Sequence, residues 1–266
     1  MIDYRGSTVV ITGASSGLGA EFAAQLAARG ANLILVARRA DRLEALGGDL
    51  EARHGVTVTP LPADLTAPGA ASALAERVKK LGLPVHSLIN NAGFGTHNLF
   101  QDEDADRIAQ EVTLNVSAVV DLTKAFYPEL LQHGSGVLVN VASTAAFQPI
   151  PRMAIYGASK AFVLSFTEAL WYEARPSGLR VLALCPGATT TEFFDVAGPE
   201  GPHRRPADLA AGGSRGAARA GSAQPAAEHR ERSRQRRADG RRAAHPPARA
   251  RVDGRAADEA PLMRPR

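Results

Sequence analysis

The chain has 266 residues, 45% of them apolar, which bounds it to one large domain or two small ones with a sizeable core. A single cysteine, Cys185, excludes a disulfide framework, and no uninterrupted apolar run approaches the ~18 residues of a membrane span. The start, Met-Ile-Asp-Tyr-Arg-Gly, carries no signal-peptide pattern, so a cytoplasmic protein is expected.

The net charge of +4 is unevenly spread. Residues 199–266 hold 16 basic and 8 acidic side chains, a net +8, whereas residues 1–198 carry a net −4. All fourteen aromatic residues lie at or before Phe194. The composition thus predicts a globular domain over 1–198 and an Arg/Ala-rich, low-complexity tail over 199–266, with the high pI belonging to the tail.

In chain order, Ser7–Thr12 is a β-branched run that reads as a strand, followed by a glycine-rich turn over Gly13–Gly19 and an amphipathic helix over Leu18–Arg29. A second strand spans Asn32–Ala37, and a helix with Gly47-Gly48 as its weak point spans Ala40–Arg53. Val56–Thr59, Val85–Ile89, Gly136–Ala142 and Leu179–Cys185 read as further strands. Thr66–Leu81, Asp104–Leu131 and Ile155–Glu173 read as helices, and Cys185 reads as a buried, inert thiol. Strands that alternate with helices imply βαβ units and a parallel sheet. These strands are continuous rather than alternating apolar runs, as expected when helices cover both faces. The predicted fold is a doubly wound, three-layer α/β sheet, which binds ligands beyond the carboxyl ends of its strands. Each notable motif follows a predicted strand and so falls on that edge.

Thr12-Gly13-Ala14-Ser15-Ser16-Gly17-Leu18-Gly19 sits between a strand and a helix. Glycines there permit a tight turn and let the backbone approach a pyrophosphate at the helix N-terminus. An NAD site would place Asp or Glu at the end of the second strand, ~20 residues on, to hold the ribose 2′-hydroxyl. This chain has Ala37-Arg38-Arg39 instead. Arg38 can pair with a 2′-phosphate through a charge-assisted bond, which favours NADP(H). Tyr156 and Lys160 are four apart on a predicted helix and share one face. A cation beside a phenol favours the phenolate and brings it toward useful proton-transfer range.

The glycine motif, Asn90-Asn91-Ala92-Gly93, Asn115, Ser143, Tyr156-x-x-x-Lys160 and Pro186-Gly187 occur in the order and spacing of the short-chain dehydrogenase/reductase family, which residues 5 to 196 resemble. The resemblance implies a set of roles. Tyr156 exchanges a proton with the substrate oxygen. Ser143 orients the carbonyl, Lys160 holds the nicotinamide ribose and lowers the Tyr156 pKa, and Asn115 keeps a proton-relay water in place. Asp64 and Leu65 lie beside the adenine, and Asn91, Ala92 and Gly93 run along the cofactor. Pro186, Gly187, Thr189 and Thr191 form the nicotinamide-side loop. Phe94, Phe147 and Phe193 are candidates either for an apolar pocket or for the core. The seven histidines are scattered, with no H-x-x-x-H or C-x-x-C, so no metal is expected.

The resemblance stops near Val196. Family members continue with a substrate-covering segment and a seventh strand that often builds dimers or tetramers, and no β-branched run of that kind follows here. Out-of-frame product of GC-rich DNA, inert basic tail and nucleic-acid binder are three readings of 199–266. Arg-rich segments bind phosphate, but this one lacks aromatics for stacking. The expected activity is hydride transfer between NADP(H) and a small-molecule carbonyl or secondary alcohol, with any homo-oligomer weakened by the atypical C-terminal segment. The alternative is a dinucleotide-binding protein without turnover.

Overall fold

The computed structural model describes residues 2–187. Six parallel strands form one sheet: β1 (Thr8–Thr12), β2 (Asn32–Ala37), β3 (Val58–Pro62), β4 (Val85–Asn90), β5 (Val137–Val141) and β6 (Arg180–Leu184), in the spatial order β3-β2-β1-β4-β5-β6. The order reverses between β1 and β4. In a doubly wound sheet that switch point opens a crevice at the carboxyl edge.

Helices cover both faces. On one side α1 (Gly17–Ala27) and α2 (Ala40–His54) bury Phe22, Leu26, Leu43 and Leu50 against Val9, Ile11, Leu33 and Leu35. On the other, α3 (Ala70–Lys80), α5 (Ala118–His133) and the C-terminal half of α6 (Ala154–Glu173) bury Leu74, Leu122, Phe126 and Leu170 against Val10, Ile34, Leu88 and Leu138. Alternate residues of each central strand therefore serve opposite layers, which is why β1 is buried at all five positions. Burying a side chain such as Phe126 is worth about 1.5–3 kcal/mol.

Most elements fall where the sequence places them, and four readings depart from it. The helix expected from Thr66 begins only at Ala70, after Gly69 at φ +71°. The third strand begins later and runs through Pro60 and Pro62, which is tolerated because among the described residues β3 is an edge strand with no neighbour on its far side. Gly47 does not weaken α2: the helix runs unbroken, and a Cβ there would come within 3.3 Å of Val58. Gly47 thus lets helix and edge strand approach closely. The long helix expected over 104–131 is instead α4 (Ala105–Val112), a π-turn at Thr113–Ser117, and α5. Asp104 caps α4 by accepting from Arg107 N at 2.8 Å. The Ala118 N–H bonds Thr113 O, five residues back, so the ladder slips by one residue around Asn115. The expected seventh strand and the boundary at residue 198 lie outside the described residues.

Candidate active site

Two adjoining parts make up the site, both at the carboxyl edge. The first is the turn after β1. Gly13 has φ +67°, a conformation that L side chains rarely adopt, and a Cβ there would lie 2.8 Å from Asn91 Nδ2 and 2.9 Å from Ala92 Cα. The turn is tied to the end of β4 by a small hydrogen-bond set. Thr12 Oγ1 accepts from Asn91 N and Ala92 N, both at 3.0 Å, and Asn91 Nδ2 donates to Thr12 O at 2.9 Å and Gly13 O at 3.2 Å. Asn91 and Ala92 thus act first as braces that fix the floor of the crevice. Ser16 precedes α1 in extended conformation, and its side chain makes no capping bond to the helix.

Beside this turn two guanidiniums meet at the end of β2. Arg39 donates to Ser15 Oγ at 2.9 Å and to Ser16 Oγ at 3.1 Å. Arg38 is exposed and acts electrostatically on Asp64. Burial works against the Asp64 charge, but hydrogen bonds from Thr66 (N at 3.0 Å, Oγ1 at 2.7 Å) and the Arg38 charge outweigh it and hold the carboxyl below its ordinary range. Leu65 is buried in the core. The sequence pointed to Arg38, and the structure adds Arg39 as the side chain that reaches the glycine turn. Adjacent arginines on a bend diverge, so sequence alone could not say which one turns inward.

The second part contains the predicted catalytic residues. Ser143 follows β5 in extended conformation, its Oγ accepting from Ala145 N at 3.1 Å, and its side chain hydrogen-bonds Tyr156 near the start of α6. Lys160, one turn further on and buried, donates to Val141 O at 2.8 Å and lies 5.8 Å from the centre of the Tyr156 ring. Asn115, on the π-turn, is locked from both ends of its amide. Oδ1 accepts from Phe94 N at 3.1 Å, and Nδ2 donates to Phe94 O at 2.8 Å and to Ser159 Oγ at 3.1 Å. Gly93 lies against both: a Cβ there would be 2.9 Å from Asn115 Oδ1 and 3.3 Å from Lys160 Nζ. Pro186 is drawn in by Thr144 N, which donates to its carbonyl at 3.0 Å, while Gly187 is exposed. Thr189, Thr191 and Phe193 lie outside the described residues. Phe94 is buried with the Arg107 guanidinium 3.9 Å above its ring, whereas Phe147 is 53% exposed and no part of the core.

The electrostatics correct one expectation. Lys160 was expected to lower the Tyr156 pKa. Instead burial pushes the phenol above its ordinary value, opposed by the Ser143 hydrogen bond and assisted by the nearby Glu111 carboxylate. Burial also brings Lys160 down to about 8, with Glu111 and Cys185 acting in the other direction. Desolvation disfavours the charged form of both groups, and it dominates for each. Cys185 is only half-buried, and burial still raises its thiol to about 11, which keeps it protonated and unreactive at neutral pH.

Two features were not read from the sequence. One is a buried amide network under the site: Asn90 Nδ2 donates to Thr123 Oγ1 at 3.0 Å and Asn140 Oδ1 at 2.9 Å, and Asn140 Nδ2 donates to Thr167 Oγ1 at 3.0 Å. It links β4, β5, α5 and α6, elements far apart in sequence. The other is Glu111, which is fully buried one helical turn before Asn115. Its only sequence signal was an acid four residues before that asparagine, on the same face. Among the described residues there is no cluster of three or more His, Cys, Asp or Glu able to hold a metal, and no helix long and apolar enough to cross a membrane.

A nucleotide-type crevice with a Ser–Tyr–Lys cluster at the switch point defines a class of dinucleotide-dependent oxidoreductases. The family model described as short chain dehydrogenase matches residues 7–200, and the chain belongs to that family. A very-long-chain 3-oxoacyl-CoA reductase from Phaeosphaeria nodorum is 32% identical over 200 residues, covering 73% of this chain and 58% of that protein. A short-chain dehydrogenase from Sphingobium yanoikuyae, solved in complex with NADPH, is 36% identical with a TM-score of 0.75, covering 91% of this chain and 98% of its own. The bulky-bulky ketone specific alcohol dehydrogenase from Comamonas testosteroni is 33% identical with a TM-score of 0.70, covering 91% and 97%. The chain spans about 58–63% of the length of the first curated reductases it matches.

Proposed function

We propose that this chain is an NADP(H)-dependent oxidoreductase that interconverts a ketone and a secondary alcohol, with Tyr156 as the general acid/base. The observation that carries this reading is the Ser143–Tyr156 hydrogen bond beside buried Lys160, facing the glycine turn across Gly93.

The cofactor fits the residues present. The turn at Gly13 packs directly on Asn91 and Ala92, and a glycine turn that leads from a strand into a helix N-terminus can present backbone N–H groups to a pyrophosphate. Arg38 and Arg39 offer two guanidiniums where an acid would repel a 2′-phosphate. NADPH, when bound, supplies the hydride. Ser143 and Tyr156 then present two hydroxyl donors to the carbonyl oxygen, where negative charge develops as the bond to carbon forms. Tyr156 gives its proton to that oxygen, and Lys160 supplies a neighbouring cation as the phenolate forms. Asn115, pinned on the π-turn, fixes the spacing of Phe94, Ser159 and α6 around the pair. The relatives named as 3-oxoacyl-CoA reductases and the dehydrogenase named for bulky ketones support a ketone over an aldehyde as substrate.

The test is NADPH consumption with acetoacetyl-CoA and with an aryl ketone, alongside thermal unfolding with NADPH or NADH. Turnover of either ketone and a larger rise in midpoint with NADPH support the reading. A rise in midpoint without turnover of any ketone supports the alternative, a dinucleotide-binding protein without activity.

A further inference from the structure

Arg107, Glu111 and Asn115 stand four residues apart along α4 and the π-turn that follows it, and so form one stripe. Each grips the segment after β4. The Arg107 guanidinium lies 3.9 Å from the centre of the Phe94 ring. Glu111 is 0% exposed; its Oε2 accepts from Thr96 Oγ1 at 3.0 Å, and its Oε1 has no hydrogen-bond partner among the described residues. Asn115 holds both the N–H and the carbonyl of Phe94. The gripped segment reads Gly93-Phe94-Gly95-Thr96. Glycine has more backbone freedom to lose than any other residue, so a stretch with one on each side of Phe94 takes its shape from side chains elsewhere. The two ends are fixed separately. Asn91 and Ala92 are tied to Thr12, and Asn98 N donates to Arg152 O at 2.8 Å, just before α6. Between these ends Gly93 faces the site, where a Cβ would lie 3.3 Å from Lys160 Nζ.

We propose that Arg107 and Glu111 are positioning residues for the hydride-transfer reaction: with Asn115 they hold segment 93–96 so that the Gly93 backbone stays against Lys160, and thereby fix the gap between the glycine turn and the Ser143–Tyr156 pair. This rests on the function proposed above. Neither residue touches the reacting atoms; Arg107 acts through the Phe94 ring and Glu111 through the Thr96 hydroxyl. Lys160 is bounded on one side by its bond to Val141 O and on another by Gly93. A slack segment lets the ammonium and the neighbouring phenol shift against the cofactor turn, and a displacement of about 1 Å at reacting groups can cost up to about a hundredfold in rate. Backbone, ring and hydroxyl are held at three points along one helix face, which stops the segment from sliding or rotating. The burial of Glu111 serves this role, because a hydrogen bond withdrawn from water meets no competing solvent.

The test uses the full chain with Thr96→Val, Thr96→Ser, Glu111→Leu, Glu111→Gln and Arg107→Ala. Without cofactor, hydrogen exchange at the Phe94 amide should quicken about tenfold in Thr96→Val and Glu111→Leu, and stay within about twofold of wild type in Thr96→Ser and Glu111→Gln, which keep the hydroxyl-to-oxygen bond. With NADPH bound and a turned-over ketone in excess, the single-turnover rate should fall about tenfold in Thr96→Val and Glu111→Leu at full amplitude, with ketone KM within about twofold, and return in Thr96→Ser and Glu111→Gln. Combining Thr96→Val with Glu111→Leu should cost no more than either alone, since all three remove one bond. Arg107→Ala should cost about threefold in the same rate. If Glu111→Leu does not fold, the Thr96→Val and Thr96→Ser pair decides alone. Unmoved Phe94 exchange, an unchanged rate, a lower amplitude at unchanged rate, or a Glu111→Gln loss as large as that of Glu111→Leu overturns the proposal. If the wild type reduces no ketone, the function proposed above fails, while the exchange pattern still decides whether Glu111 holds the segment.

Discussion

The turn after β1 and the cluster on α4–α6 share one crevice but are built in opposite ways. The turn is held by backbone groups and short polar side chains: Thr12, Asn91 and the glycines fix its shape before any ligand arrives. Little there titrates. The α4–α6 cluster is held by long or ionisable side chains drawn out of water: Lys160, Tyr156, Glu111 and Asn115. Phosphate binding needs a rigid cradle of N–H donors, which backbone supplies. Proton transfer needs groups poised between two charge states, which only burial and mutual proximity supply.

The division can be tested. Tyr156→Phe removes the proposed proton donor without touching the turn, so kcat for ketone reduction should fall by about 10³ or more while NADPH affinity, read by fluorescence titration, stays within about twofold. Retained turnover in that variant would place the acid elsewhere. Gly13→Ala strikes the other region. The added Cβ meets Asn91 and Ala92 at a positive φ, and NADPH affinity should drop by roughly a hundredfold with the Ser143–Tyr156 pair intact.

A pH experiment probes the α4–α6 cluster without a ligand. The Glu111 carboxyl is raised from 4.5 to about 7 on folding, so the native state holds its proton where the unfolded chain has lost it. Its contribution to stability is fully present below pH 4.5 and is lost as pH rises through 7, a change of up to about 3 kcal/mol. Lys160 is lowered from 10.5 to about 8, so its contribution is regained only as pH climbs from 8 toward 10.5. Denaturant midpoints should therefore dip between pH 7 and 8, and Glu111→Gln should flatten the acidic limb of that dip. A dip unchanged in Glu111→Gln would assign it to other groups. The smallest effect should come from Arg38→Asp: about tenfold weaker NADPH binding, with NADH binding little altered, measured by the same titration. Equal losses for both cofactors would remove Arg38 from the 2′-phosphate.

Much of this was readable in the sequence because it depends on local spacing. A glycine-rich turn between a strand and a helix, uninterrupted apolar strands, and Tyr156 one turn from Lys160 are near-neighbour patterns, and they predicted a doubly wound sheet with both parts of the site at its carboxyl edge. The proline-bearing β3 was placed too early because an edge position, which excuses Pro60 and Pro62, is a property of the sheet rather than of the segment.

What only the tertiary structure decided is where charge is desolvated. Asn115 meets Phe94 and Ser159, the Asn90–Thr123–Asn140–Thr167 network spans four elements, and Glu111 lies within the field of Lys160, all across separations of 20 residues or more. Spacing along a chain specifies hydrogen-bonded turns and helix faces, because those are set by backbone geometry. The ionisation of a buried acid, phenol or amine depends on every group that packs around it and on the water they exclude, and that is fixed only when distant elements close over one another.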